Sequence, residues 1–403
     1  MLLAGTFVVP AAAGAQDDAL DVQFEEITQE VSDIRGLPIE SEVVEDFLPR
    51  GDLQARLLDD FEEDYPEAER EADQQLLAAL GMIPEDTDLG QLYLDLYTEQ
   101  IAGFYDPEAN ELFVIAGEGE LSALDEVTYA HEVTHALQDQ AYDLEAIRQP
   151  YEENDDALLA ITALIEGDAT AVQLDYLLGR PALLARFTVE VTQMADMPQL
   201  DNAPPVIREA LLFPYSAGQI FVAALQEEGG YDAVDAAYDD LPLTTEQILH
   251  PEKYLGERDE PTPVNLPDLL PALGDDWERI DTNNLGEFQI RIMLQSELPA
   301  AAAEGAAAGW DGDQYAFYTN DDQEVIAWQT VWDSEEDAAE FAIALQAYDE
   351  ARFDATYTGA EILSLETESD AARIVVDGTT VSYVLASDRA LADQILPELA
   401  LAG

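Results

Sequence analysis

Between about residues 21 and 99 apolar positions recur at helical spacing, as in Leu53–Phe61 and Ala68–Leu80, within Ala-, Leu-, Glu- and Gln-rich text. Gly81 followed by Pro84 marks a stop and a turn, and Tyr93–Gln100 reads as further helix. The pattern then changes. Ile101–Tyr105 and Glu111–Ile115 are apolar runs flanking Asp106-Pro107-Glu108-Ala109-Asn110, which predicts a β-hairpin. Ser122-Ala123-Leu124-Asp125 has the form of a capping box opening a helix that runs to about Ala141. A second helix is expected from Asn154-Asp155-Asp156 to Gly179, with more at Pro204–Leu212, Ser216–Glu228 and Tyr231–Asp239. Beyond a Pro-rich stretch the text becomes strand-like at Gln314–Tyr318 and Val325–Trp332, helical at Ser334–Asp349, and hairpin-like at Arg373–Val376 and Val381–Leu385 around Gly378. A last helix is expected near Ala390–Leu399, and no internal repeat is visible.

The expected fold class is α+β: a mainly helical core with a small sheet or β-hairpin before the helix at 122–141, plus a C-terminal α+β domain. The expected organisation is a helical N-terminal segment at 21–99, a core at 100–260, a linker at 261–276 and the C-terminal domain at 277–403. Residues 1–15 are uncharged and mostly apolar, and Ala13-Gly14-Ala15 has the small-x-small form of a signal-peptidase site. This segment is too short to span a bilayer. The expectation is an exported, secreted or cell-surface protein.

Charge sharpens the picture. Against 88 Asp and Glu stand 15 Lys and Arg, a formal net charge of −73, and Lys253 is the only lysine. Phosphate binding needs clustered basic residues, so nucleic-acid and anionic-membrane partners are excluded. With 48% apolar residues the chain is not of disordered composition. The acidity is spread along the chain, so self-repulsion should destabilise the fold in dilute buffer and be screened in molar salt. Adaptation to a saline medium is the expectation, and an acidic protein tuned to bind a cation is the alternative. Cysteine is absent, which removes disulfides, thiolate ligands and cysteine nucleophiles.

The strongest chemical signal is His131-Glu132-Val133-Thr134-His135 on the capped helix. Histidines at i and i+4 share one helical face, roughly 6 Å apart, which suits two ligands of one Zn²⁺. Glu132 is offset from that face and can address a metal-bound water. With only three histidines in the chain, chance accounts poorly for the motif. Zinc needs a third protein ligand and an open position. Glu166, embedded in the apolar stretch that follows Ala157, is the best carboxylate, and a solvated glutamate is its competing reading. Asp168 lies about 200° further round that helix and is expected to face water.

HExxH followed by a downstream helical Glu resembles the gluzincin, thermolysin-like zinc metallopeptidases. The larger set, namely Ile101–Pro107, Tyr129–Gln140, Ile165–Ala169, Phe213-Pro214-Tyr215, Glu246–Tyr254 and Gly309–Asp313, resembles a family of exported HExxH proteins over roughly residues 75 to 330. The resemblance implies a metallopeptidase in which zinc polarises a peptide carbonyl and Glu132 takes the proton of the attacking water. It also implies that Leu112–Ile115 is an edge strand pairing with an extended peptide or protein substrate. One position departs from the pattern. An Asp normally supporting the first His stands four residues after the ligand Glu, and here that residue is Thr170; Asp139 is the candidate replacement.

Charge developing on the carbonyl oxygen needs a further donor, for which His250 and Tyr215 are the candidates. Their competing readings are a structural histidine before Pro251 and a packed aromatic. Lys253 is expected in an ion pair, and Trp310, Trp328 and Trp332 as core or edge aromatics. Two functions follow: a salt-adapted zinc metallopeptidase, or a catalytically silent surface-associated binding or structural protein on the same scaffold.

Overall fold

The computed structural model describes residues 14–48, 51–52, 55–56, 58, 61–62, 65–100, 103–106, 111–115, 121–193, 197–320 and 323–400. Most of the expected leader, residues 1–13, lies outside that set, as does the hairpin turn at 107–110. In chain order the main elements begin with α1 (Gly14–Arg35), β1 (Val44–Leu48), α2 (Glu67–Ala79), α3 (Leu89–Gln100), β2 (Gly103–Asp106) and β3 (Glu111–Ile115). Helices α4 (Ala123–Tyr142), α5 (Asp155–Leu178), α6 (Pro181–Val191), α7 (Pro205–Gly229), α8 (Tyr231–Asp239), α9 (Thr245–Leu249) and α10 (Pro251–Leu255) follow. The remainder is β4 (Glu278–Asn283), α11 (Gly286–Gln295), α12 (Ala300–Ala307), β5 (Trp310–Asn320), β6 (Gln323–Trp332), α13 (Glu335–Phe353), β7 (Leu363–Glu366), β8 (Ala371–Asp377), β9 (Thr380–Ala386) and α14 (Arg389–Ala400). The N-terminal region is thus mainly helical, and the C-terminal region is α+β.

The chain divides into two compact units. One comprises 1–59, 100–147 and 168–196; the other comprises 60–99, 148–167 and 197–403. Helix α5 is continuous and is counted partly in each.

In the first unit a three-stranded sheet has the order β1-β3-β2. β2 and β3 pair antiparallel with Tyr105 opposite Leu112, the expected hairpin. β1, from a segment expected to be helical, pairs parallel with β3. Leu112–Ile115 is therefore the middle strand and not an edge. The edge expectation fails because its second neighbour comes from more than sixty residues upstream. Helix α1 packs on α4, with the Phe24 and Tyr129 rings 4.3 Å apart and a 3.0 Å hydrogen bond between the Thr28 and Tyr129 hydroxyls.

In the second unit six antiparallel strands run in the order β4-β5-β6-β9-β8-β7. Side chains alternate across the sheet at period two. Val325 and Ala327 face Ile395, Leu396 and Leu399 of α14. Trp328 and Trp332 face Phe341 of α13, at ring distances of 5.5 and 4.5 Å. Trp310, Trp328 and Trp332 are fully buried, so the core reading of the tryptophans holds. Residues 261–276 are pinned: Thr262 N–H donates to the Asp311 carbonyl, and Leu269 is buried against the sheet.

Helix α7 joins two segments expected to be separate. Pro214 lies inside it, held by the burial of Phe213 and Pro214 themselves, and Phe213 packs 4.2 Å from the Phe288 ring. Helices α5 and α7 come into backbone contact at glycines. A Cβ on Gly218 would lie 2.0 Å from the Ala163 carbonyl oxygen, and one on Gly167 would lie 2.3 Å from Gly218. Helix α5 is long and apolar enough to cross a membrane by composition, but most of its apolar window is buried within the protein.

Candidate metal centre

Helix α4 begins where the sequence places it. The Ser122 hydroxyl accepts the Asp125 N–H at 3.0 Å, and the Asp125 carboxylate accepts the Ser122 N–H at 3.2 Å. These reciprocal bonds satisfy two of the helix's orphan donors. At the other end Asp143 takes a left-handed conformation, φ 56°, and donates to the Asp139 carbonyl. The apolar side chains Val127, Ala130, Val133, Ala136 and Leu137 are buried and fix the helix rotation. That rotation sets His131 and His135 one turn apart.

The two imidazole Nε2 atoms lie 3.1 Å apart, with the rings nearly perpendicular and their centroids 4.7 Å apart. One ligand atom each from His131, His135 and Glu166 lies within 4.8 Å of the others. His131 is buried and the other two are half-buried. Two nitrogens bound at ~2.05 Å to a tetrahedral zinc sit about 3.3 Å apart. The 3.1 Å spacing fits that geometry, and two imidazoles with one carboxylate are a zinc donor set. The residues present therefore fit a zinc ion with three protein ligands.

Glu132 lies off the ligand face. Its Oε2 accepts the backbone N–H of Tyr105 at 3.0 Å, which ties the carboxylate to β2, an edge strand of the small sheet. The Tyr105 hydroxyl donates to Asp139 at 2.8 Å, and burial together with that carboxylate raises the tyrosine's pKa above its usual value.

Asp139 does not support the histidines as expected. It accepts from the Tyr105 hydroxyl and from the Leu144 N–H. The partner of His135 is Gln138, whose Oε1 lies 2.8 Å from Nδ1. The Gln138 Nε2 in turn donates to Asp168 at 3.0 Å. Asp168 is also not at the surface. It is fully buried and accepts the Arg35 Nε–H at 2.8 and 2.9 Å. The expectation fails because the face of α5 opposite Glu166 is covered by other helices rather than by water. The signal for it was Arg35, a rare cation in the last turn of an otherwise acidic amphipathic helix.

His250 and Tyr215 are not members of the ligand group. His250 caps α10, and its Nε2 lies 3.0 Å from the Glu287 carboxylate, which raises the imidazole pKa. Tyr215 is 44% exposed on α7. Lys253 makes ion pairs, as expected: its Nζ lies 2.6 Å from Glu246, 2.9 Å from Asp259 and 2.8 Å from Asp333.

A family model described as a domain of unknown function (DUF8575) matches residues 275–396, a stretch that contains all six strands of the larger sheet and none of the candidate metal-centre residues. No curated protein matches the chain, and no solved structure does.

Proposed function

We propose that the protein is an exported, salt-adapted zinc metallopeptidase of gluzincin-like type. The observation that carries this reading is the convergence of the His131 and His135 Nε2 atoms and the Glu166 carboxylate, with a glutamate beside the first histidine. When bound, zinc would supply the Lewis acid that polarises the scissile carbonyl and lowers the pKa of a water.

The chain's own residues do the rest. Glu132 takes one proton from the attacking water as its oxygen bonds to the carbonyl carbon. It returns that proton to the amide nitrogen as the C–N bond breaks. The Tyr105 N–H bond holds the carboxylate on one side through this exchange. The outer edge of β2, to which Glu132 is tethered, is the strand that would pair with an extended substrate; main-chain pairing there gives affinity with little sequence selection. Tyr215 and His250 remain candidates for stabilising the oxyanion. His250 is already engaged by Glu287, so it would have to leave that carboxylate to take the role.

The test is hydrolysis of an unfolded protein substrate in molar salt, with zinc content measured in parallel. Glu132→Gln should keep about one zinc per chain and lose activity by at least about a thousandfold, as for loss of a general base together with its charge. Full activity in that variant would sink the mechanism. One bound zinc with no turnover of any peptide in a broad library would leave the silent binding protein in its place.

A further inference from the structure

Resting on the metal-site reading, we propose that Arg35, Asp168 and Gln138 form a positioning relay that fixes the tautomer and ring plane of His135. Helix α1 is thereby a working part of the centre.

A guanidinium can only donate, and a carboxylate paired with it can only accept. Asp168 receives the Arg35 Nε–H on both oxygens, at 2.8 and 2.9 Å. It can therefore receive only the amide nitrogen of Gln138, at 3.0 Å. That fixes which way the Gln138 amide points and turns its carbonyl oxygen to His135, at 2.8 Å. A carbonyl accepts, so the imidazole must carry its proton on Nδ1. The lone pair is then on Nε2, the atom that faces His131 Nε2. A ligating histidine held in this way by an outer acceptor is both oriented and made more basic.

Burial makes the relay deterministic. Gln138 and Asp168 are 0% exposed and Arg35 1%, so water cannot substitute for a missing partner. The three residues come from three helices, α4, α5 and α1. Helix α1 is held a second time by Thr28 and Phe24 against Tyr129 on α4. The Arg35 Nη2 also reaches the Tyr142 hydroxyl at 3.4 Å. Thr170 stands where the gluzincin pattern has the Asp that supports the first histidine; here Gln138, on the helix of the histidines themselves, supports the second.

The test uses the full chain in molar salt. Zinc affinity is read by competition with a chromophoric chelator. In Gln138→Met the Arg35–Asp168 pair is kept and only the link to His135 is cut; zinc should still bind one per chain, ten- to a hundredfold more weakly. The second readout needs no metal. With three histidines in the chain, two-bond ¹H–¹⁵N correlations of the neutral rings can be assigned. Metal-free wild type should show His135 protonated on Nδ1. In Asp168→Asn the amide can donate to Gln138, turn it over, and shift His135 to the Nε2–H form. Equal zinc affinity of wild type and Gln138→Met would overturn the relay, as would a wild-type His135 protonated on Nε2. A wild type that binds no zinc would defeat the metallopeptidase reading alone, because the tautomer still decides the relay.

Discussion

Among the described residues two groups of side chains could each hold a cation, and they differ in kind. His131, His135 and Glu166 offer two imidazole nitrogens and one carboxylate. Glu246, Asp259 and Asp333 offer three carboxylates, and there the chain supplies its own cation. The only lysine of 403 residues stands among them, within 2.6 to 2.9 Å of all three. Burial alone would lower the pKa of that ammonium, but hydrogen bonds to Asp333, Glu246 and Asp259 push it well above the usual lysine range. An all-oxygen cluster suits a hard cation or an ammonium, whereas imidazole suits a transition metal. In a chain this acidic, crowded carboxylates are common and carry little functional information. The informative feature is the rarity of the residue beside them: a histidine pair in one place, a lone lysine in the other.

The largest effects should separate the two groups. His131→Ala or Glu166→Ala removes one of the proposed zinc ligands and should weaken zinc binding by more than the ten- to hundredfold carried by outer partners. Folding in molar salt should be little changed, as read by a chelator-treated melt. Lys253→Met should do the opposite. It leaves the nearly buried Glu246 without its counter-charge and should lower stability by about 3 kcal/mol, near the low end for breaking a buried pair. Zinc stoichiometry should stay at one. If Lys253→Met lost zinc while Glu166→Ala kept it, the assignment of roles would be reversed.

What was legible in the sequence follows from distance along the chain. The capping box, the β2–β3 hairpin and the His131/His135 face each depend on a few neighbouring residues, and each was readable. Glu166 was readable because burial of a carboxylate in an apolar helix demands a partner. Arg35–Asp168, a contact across 133 residues, was not, since helical geometry gives the angle of Asp168 but not what covers that face. β1 and the continuity of α7 through Pro214 failed for the same reason: tertiary packing outweighed the local signal.

A smaller effect tests how the helix carrying Glu166 is set. Gly218→Ala places a methyl group 2.0 Å from the Ala163 carbonyl oxygen, where backbone must move. Overpacking of this kind costs about 1–3 kcal/mol. Because Glu166 lies one turn along α5 from Ala163, the forced shift should also weaken zinc binding. A melt and a zinc titration on the same variant check both. An unchanged melting point would mean that α7 yields without strain.

The weakest expected effect is the slope of stability with pH, set by buried carboxyls that lie outside both groups. Burial raises Asp349 to about 7 against the opposing hydrogen bonds of Tyr357 and Tyr383. Burial, with Asp73 and Asp281 nearby, raises Asp155 to about 7, and burial raises Asp73 to about 6. Each carboxyl holds its proton longer when folded than when unfolded, where it titrates near 3.8. The folded state therefore binds more protons between about pH 4 and 7, and stability falls as pH rises through that window. At constant molar salt, chelator-treated protein should melt lower at pH 7 than at pH 5. A chelated protein that grows more stable from pH 5 to 7 would mean that these carboxylates are already ionised in the fold.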